Sequence, residues 1–281
     1  LLWLPTAENL PIIKMKPKVL IFSGYGLNSE AETKYAFDTA GGKAVIVHVN
    51  DLVAHKVSLA DFQILCLPGG FSYGDDSGSG NAYANKLKNH LWQEILEFVN
   101  SDRLVIGICN GFQILANLGL LPALNSKFGE RQIALLHNSQ ARLVTRWVDL
   151  RIENDSPWLS GISQISLPIA HGEGKFYAET EILAKLKSRR MIALKYSRGE
   201  TCRYSDLPAN PNGSLADIAG INDESGRILG LMPHPERAQF FHQLPHWTNL
   251  ADKLRREGKS CPRTGPGLKI FQNAVRYFIK G

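Results

Sequence analysis

The sequence predicts an α/β fold: a mixed, mostly parallel β-sheet flanked by helices, with a small antiparallel extension. Three observations predict it. Short apolar runs alternate with helix-periodic stretches from Val19 onward, the pattern of βαβ units. A β-rich stretch between Ile133 and Ala170 suits antiparallel pairing. Between Gly107 and Gly111, Cys109 stands where an apolar run meets a helical pattern, as at a sharp strand-to-helix elbow.

Taken in order, residues 1–14 show no clear period and read as an N-terminal extension. Residues 19–22 predict a first strand, 30–40 a helix, and 44–49 and 62–67 two further strands. A single long amphipathic helix is predicted over 82–99, with Leu87, Leu91, Ile95 and Val99 at i+4 steps. Residues 104–108 form the strand feeding the elbow, and 112–118 begin its helix. The runs 141–152 and 165–169 belong to the antiparallel extension. Mixed α/β returns at 182–186, 192–195, 218–222 and 228–231, and 267–279 reads as a closing helix. With no internal repeat and no low-complexity linker, residues 15–281 read as one domain with a loop-like insertion at about 238–266.

Bulk properties narrow the function classes. At 281 residues and 44% hydrophobic content the chain can bury one large core. No run of about 20 apolar residues exists to span a bilayer. The opening Leu-Leu-Trp-Leu-Pro is too short, and lacks the basic flank, for a signal peptide. Cys66, Cys109, Cys202 and Cys261 show no CxxC pairing, which argues against a disulfide framework or zinc site and suits a cytoplasmic setting. The net charge of +6 is spread without a long basic block. A nucleic-acid binder would concentrate it. The insertion gathers Lys253, Arg255, Arg256, Lys259 and Arg263 beside Phe240, Phe241 and Trp247. It reads as a segment packed on its own domain, with partner docking as the alternative. Its His242 and His246 flank Pro245 without a carboxylate or cysteine to complete a metal set.

The chemistry centres on Gly107-Ile-Cys109-Asn-Gly111-Phe-Gln113. The following helix N-terminus favours the thiolate, so Cys109 reads as a nucleophile. A base is offered by Met232-Pro-His234-Pro-Glu236-Arg237. Prolines bias Met232 and His234 toward extended backbone, which would put His234 and Glu236 on one face. A proline-bounded turn with a surface ion pair is the plainer reading. Together with the cysteine, the segment forms a Cys-His-Glu triad in which Glu236 orients His234. Leu67-Pro-Gly69-Gly70-Phe71-Ser-Tyr-Gly-Asp75-Asp76 follows a buried-type strand. Its bare backbone N–H groups, with that of Asn110, suit an oxyanion hole. A phosphate cradle lacks the Gly-Lys-Ser/Thr it needs, and a tight turn is the structural alternative. Asp75 and Asp76 read as loop-capping or surface residues, since no metal-ligand set accompanies them.

Taken together these segments, with Ala170-His-Gly-Glu-Gly174, Asn210-Pro-Asn-Gly-Ser214 and Ile218-Ala-Gly-Ile221, resemble the class I (triad) glutamine amidotransferases. Within them the chain is most similar to the glutaminase subunits of phosphoribosylformylglycinamidine synthases. The resemblance runs from about Lys18 to Arg237 and resumes near Gly267. It implies a flavodoxin-like fold in which Cys109 attacks the side-chain amide of glutamine to give a thioester and ammonia. His234 would act as base and then acid, Glu236 would orient it, and Gly69, Gly70 and Asn110 would frame the oxyanion. Gln113 would line the glutamine pocket, and the backbone at Asn138 and Ser139 would hold its amino-acid end. The spacing in Leu136-His-Asn-Ser-Gln is one residue short of the family's Asn-x-Ser. His171 and Glu173 would serve catalytic support or structural positioning. No cofactor on this chain is implied. ATP and magnesium belong to a synthetase subunit on a separate chain, which receives the ammonia through a tunnel, with or without a small third subunit. Residues 1–14, the insertion, and Ser23-Gly-Tyr-Gly26 depart from the family pattern and bear on docking. A related-fold elbow-cysteine hydrolase, or a non-catalytic binding subunit, are the competing classes.

Overall fold

A computed structural model describes residues 16–279; the predicted N-terminal extension lies outside the described residues. The chain opens with β1 (Lys18–Ser23), α1 (Glu30–Thr39), β2 (Lys43–His48), α2 (Val49–Val53) and β3 (Ile64–Leu67). There follow α3 (Asn81–His90), α4 (Trp92–Val99), β4 (Leu104–Ile108) and α5 (Asn110–Leu118). The next segment is mainly strand: β5 (Ile133–His137), β6 (Val144–Ile152), β7 (Gln164–His171) and β8 (Glu173–Ala178). The chain closes with α6 (Thr180–Ser188), β9 (Ile192–Ser197), α7 (Glu200–Ser205), β10 (Ile218–Asn222), β11 (Ile228–Leu231), α8 (Trp247–Arg256) and α9 (Leu268–Ile279).

Nine strands form one sheet in the order β2-β1-β3-β4-β11-β10-β9-β6-β7. Pairing is parallel from β2 through β11 and antiparallel from β11 to β7. Strands β3, β4 and β11 of the parallel half are buried along their whole length, as expected where helices cover both faces, and so is β10. That is why they read in the sequence as unbroken apolar runs. Strands β5 and β8 form a separate antiparallel pair. Phe37 of α1 meets Phe271 of α9 edge-on, ring centres 4.8 Å apart, fastening the closing helix to the first.

Two expected elements come out differently. The long helix over 82–99 is interrupted at Leu91, whose backbone (φ −134°, ψ 13°) separates α3 from α4. A strict i+4 stripe drifts about 40° per step around a helix of 3.6 residues per turn. Over three steps Val99 would turn well away from Leu87. The break resets the direction, and Leu87, Leu91, Ile95 and Val99 are all buried. The insertion is also more than a loop. It contains α8, whose Trp247, Leu250 and Leu254 fall at i, i+3 and i+7. Its ends are stitched together where Gly265 N–H donates to Gln239 O and Gly267 N–H to Ala238 O.

Candidate active site

Cys109 links β4 to α5 with φ 52° and ψ −107°, a conformation an L-residue holds only when its surroundings enforce it. Those surroundings are visible. A Cβ on Gly111 would stand 1.9 Å from Leu67 O, so only glycine lets α5 start so close to β3. Parallel pairing sets Ile108 beside Leu231, and Cys109 N–H donates to Leu231 O at 2.8 Å. The register of β4 and β11 thereby delivers the segment after Leu231 to the elbow.

His234 is buried there, its N–H donating to Pro168 O of β7 at 2.8 Å. Its Nδ1 lies 2.5 Å from Glu236 Oε1, and both side chains are excluded from solvent. The two meet by a route other than the expected extended face: Pro235–Arg237 is a single 3₁₀ turn, which folds the carboxylate back onto the ring. Nδ1 therefore donates to Glu236, which leaves Nε2 as the nitrogen available to the thiol. Burial by itself would lower the imidazole, but the Glu236 carboxylate and then the Cys109 sulfur outweigh it and raise His234 to about 10. This favours an imidazolium at His234. Arg237 stands 3.7 Å from Glu236 Oε1 and donates to Ser29 Oγ at 2.8 Å. Behind the thiol, burial and then the Cys109 charge push the Tyr196 phenol well up.

Gly69 and Gly70 run alongside. Gly69 O accepts from Asn28 N–H and Ser29 N–H, while Gly70 N–H and Asn110 N–H carry no hydrogen bond among the described residues. The Asn110 side chain ties the two donor loops together. Its Oδ1 accepts from Ser72 N–H at 3.2 Å and its Nδ2 donates to Gln113 Oε1 at 2.8 Å. The sequence did not suggest this tie, for which only the side-chain amide counts.

The remaining expected substrate residues are placed less openly. Gln113 is buried and donates to Glu173 O at 2.5 Å, so both ends of its amide are engaged. Asn138 N–H donates to Gly172 O and Ser139 N–H to Asn212 O. Their backbone N–H groups are therefore engaged inside the protein. The Asn138 side chain serves His171 instead, with Oδ1 3.0 Å from its Nδ1.

A cleft of about 450 Å³ borders the site, lined by Phe71, Asp75, His137, Leu143, Gly172 and Glu173 among others. Asp75 is shifted up by burial, partly offset by Ser79, and then by the charges of Glu173 and Asp76. Among the described residues no group of three or more His, Cys, Asp or Glu side chains is arranged to hold a metal ion. In the insertion, His246 pairs with Glu200 at 3.2 Å.

The arrangement is a strained thiol, a buried carboxylate-backed imidazole and two free N–H donors, the set that acyl transfer from an amide requires. The chain matches the family model of the CobB/CobQ-like glutamine amidotransferase domain over residues 16–278. It is 48% identical over 273 residues to phosphoribosylformylglycinamidine synthase subunit PurQ of Methanococcus maripaludis strain C7, covering 96% of this chain and 100% of that one. To the PurQ of Dehalococcoides mccartyi it is 45% identical over 264 residues, covering 93% and 98%. Among solved structures it is similar to PurLQS from Thermotoga maritima, with 30% identity, a TM-score of 0.66, and coverage of 94% and 99%.

Proposed function

The chain belongs to the CobB/CobQ-like glutamine amidotransferase family, and from that premise we propose that it is the glutaminase subunit of a phosphoribosylformylglycinamidine synthase. It releases ammonia from glutamine for a synthetase subunit, as part of a carbon–nitrogen ligase in purine biosynthesis. The observation that carries the chemical assignment is the juxtaposition of Cys109 with a solvent-excluded His234–Glu236 pair.

In this reading the Cys109 thiolate attacks Cδ of glutamine, and the carbonyl electron pair moves onto oxygen between Gly70 N–H and Asn110 N–H. The His234 imidazolium gives its proton to the amide nitrogen as the C–N bond breaks, and ammonia leaves. His234, now neutral, takes a proton from water, which attacks the thioester and frees glutamate. Glu236 keeps the ring in the tautomer that presents Nε2 to these steps. The synthetase subunit consumes the ammonia, using ATP and magnesium of its own, and a small third subunit joins the complex. Free buried thiols at Cys66, Cys109 and Cys202 suit a cytoplasmic protein. Residues 15–281 act as one amidotransferase domain, with 238–266 as an insertion.

The test uses the chain together with its synthetase subunit. Wild type should form the amidine from either glutamine or ammonium. Cys109→Ala should lose the glutamine route and keep the ammonium route. A wild-type complex that works with ammonium alone would sink the assignment.

A further inference from the structure

His171 is the second histidine of the site and is buried at the end of β7. Its neighbour Ala170 presents a carbonyl oxygen 3.8 Å from Cys109 Sγ, so this end of β7 reaches the thiol, and the ring feels the charge of His234. Asn138 fixes its tautomer. The Asn138 Nδ2 donates to two carbonyls, Arg142 O at 2.9 Å and His171 O at 2.7 Å. Its Oδ1 is thereby left facing His171 Nδ1 at 3.0 Å, and this pairing requires Nδ1 to carry the hydrogen. Nε2 is then a bare lone pair. It is buried and makes no hydrogen bond. The ring lies against Gly174, where a Cβ would come within 2.3 Å of Nδ1, so the glycine leaves the ring its place.

A buried acceptor left open costs stability, and this one is kept an acceptor by the Asn138 pairing with Nδ1. Burial and then the charge on His234 hold the His171 imidazole down at about 3, so Nε2 stays an acceptor at working pH. The carbonyl oxygen of the substrate amide is assigned to the N–H donors of Gly70 and Asn110. Its –NH₂ group has two hydrogens and, once buried, needs an acceptor.

We propose that His171 Nε2 accepts a hydrogen bond from the carboxamide nitrogen of glutamine and keeps it as that nitrogen departs. Neutral imidazole orients the nitrogen lone pair toward the His234 proton, and no proton passes to His171 itself. It also discriminates: a carboxylate at the same position would set oxygen against a lone pair, so glutamine is preferred over the product glutamate. Asn138 is a positioning residue in this scheme, acting through the tautomer it imposes.

The proposal rests on the glutaminase reading, and the experiment separates the two. Hydrolysis of glutamine and of glutamate γ-methyl ester is compared in the complex with the synthetase subunit. Both pass through the same thioester, but the ester's leaving group has no N–H to donate. His171→Leu should lower kcat/KM for the amide by about tenfold or more relative to the ester, the factor expected for one lost hydrogen bond in a buried site. His171→Gln, which restores an acceptor, should recover part of the ratio. Asn138→Leu, which leaves the ring but frees its tautomer, should lower the ratio by a smaller factor and serves if His171→Leu lacks a cooperative melt. Equal losses on amide and ester, or an unchanged ratio in the folded variants, overturn the proposal. Wild type that hydrolyses neither substrate would remove the glutaminase reading beneath it.

Discussion

Replacing Gly111 with alanine tests whether the elbow depends on close helix–strand approach. The added methyl would sit 1.9 Å from Leu67 O, where ordinary contact begins at 3.4 Å, so α5 must retreat from β3 by about 1.5 Å. The obstacle is a backbone carbonyl at the C-terminal end of a wholly buried strand, so no side-chain rotation relieves it. Overpacking of this kind costs about 1–3 kcal/mol, and an unyielding backbone places the variant at the upper end. The retreat also carries Asn110 N–H and the Cys109 thiol with it. A displacement of about 1 Å in a reacting group is worth about 100-fold in rate. Steady-state glutamate release with the synthetase subunit present should therefore fall by about 100-fold or more, and a chemical melt should show the stability loss. Activity within about threefold of wild type, with an unchanged melt, would mean that the elbow does not depend on this contact.

Glu236→Gln keeps the shape of the buried pair and removes the charge that raises His234 most. Its glutaminase rate should fall by about 10²- to 10⁴-fold with the fold retained by circular dichroism, and a fall below tenfold would leave Glu236 without its orienting role. The two histidines also predict opposite pH dependences of stability. His171, held at about 3 against about 6.5 when unfolded, contributes stability that is present above the unfolded value. That share is lost as pH falls from there toward 3, at up to one proton's linkage per pH unit. Denaturant melts between pH 7 and pH 4 should be less acid-sensitive for His171→Gln than for wild type, and equal slopes would contradict the assignment. His234, raised to about 10, contributes stability fully present below about 6.5 and lost as pH rises from there through its folded value. His234→Gln should remove that alkaline decline.

Much of the fold was legible because the parallel half is covered on both faces. Strands such as β4 and β11 had to be short, unbroken apolar runs, and the amphipathic stretches between them had to be helices. The elbow was legible for a local reason: a nucleophile at a tight strand-to-helix turn needs small neighbours, and Gly107 and Gly111 flank Cys109 at two residues' distance. Less legible was anything set by direction. The i+4 stripe from Leu87 to Val99 marked the buried face correctly but could not show that the helix must break at Leu91 to keep it buried. At α8, polar residues and the preceding Pro245 masked a short helix whose large apolar side chains are only Trp247, Leu250 and Leu254.

The sequence by itself determined the residue types of the site, Cys109, His234, Glu236 and the glycine loop, because each sits in a local pattern that its chemistry demands. Only the tertiary structure decided what those groups touch. The β4–β11 register brought positions 109 and 234 together, and a 3₁₀ turn, not an extended strand, set Glu236 against the ring. Asn138 and Ser139 proved to have their backbone donors occupied, and His171 acquired a fixed tautomer with an open lone pair. Hydrogen-bond partners depend on where distant strands end and how loops close over them. Local sequence carries no record of that geometry, so it identifies the groups able to react and leaves their partners to the fold.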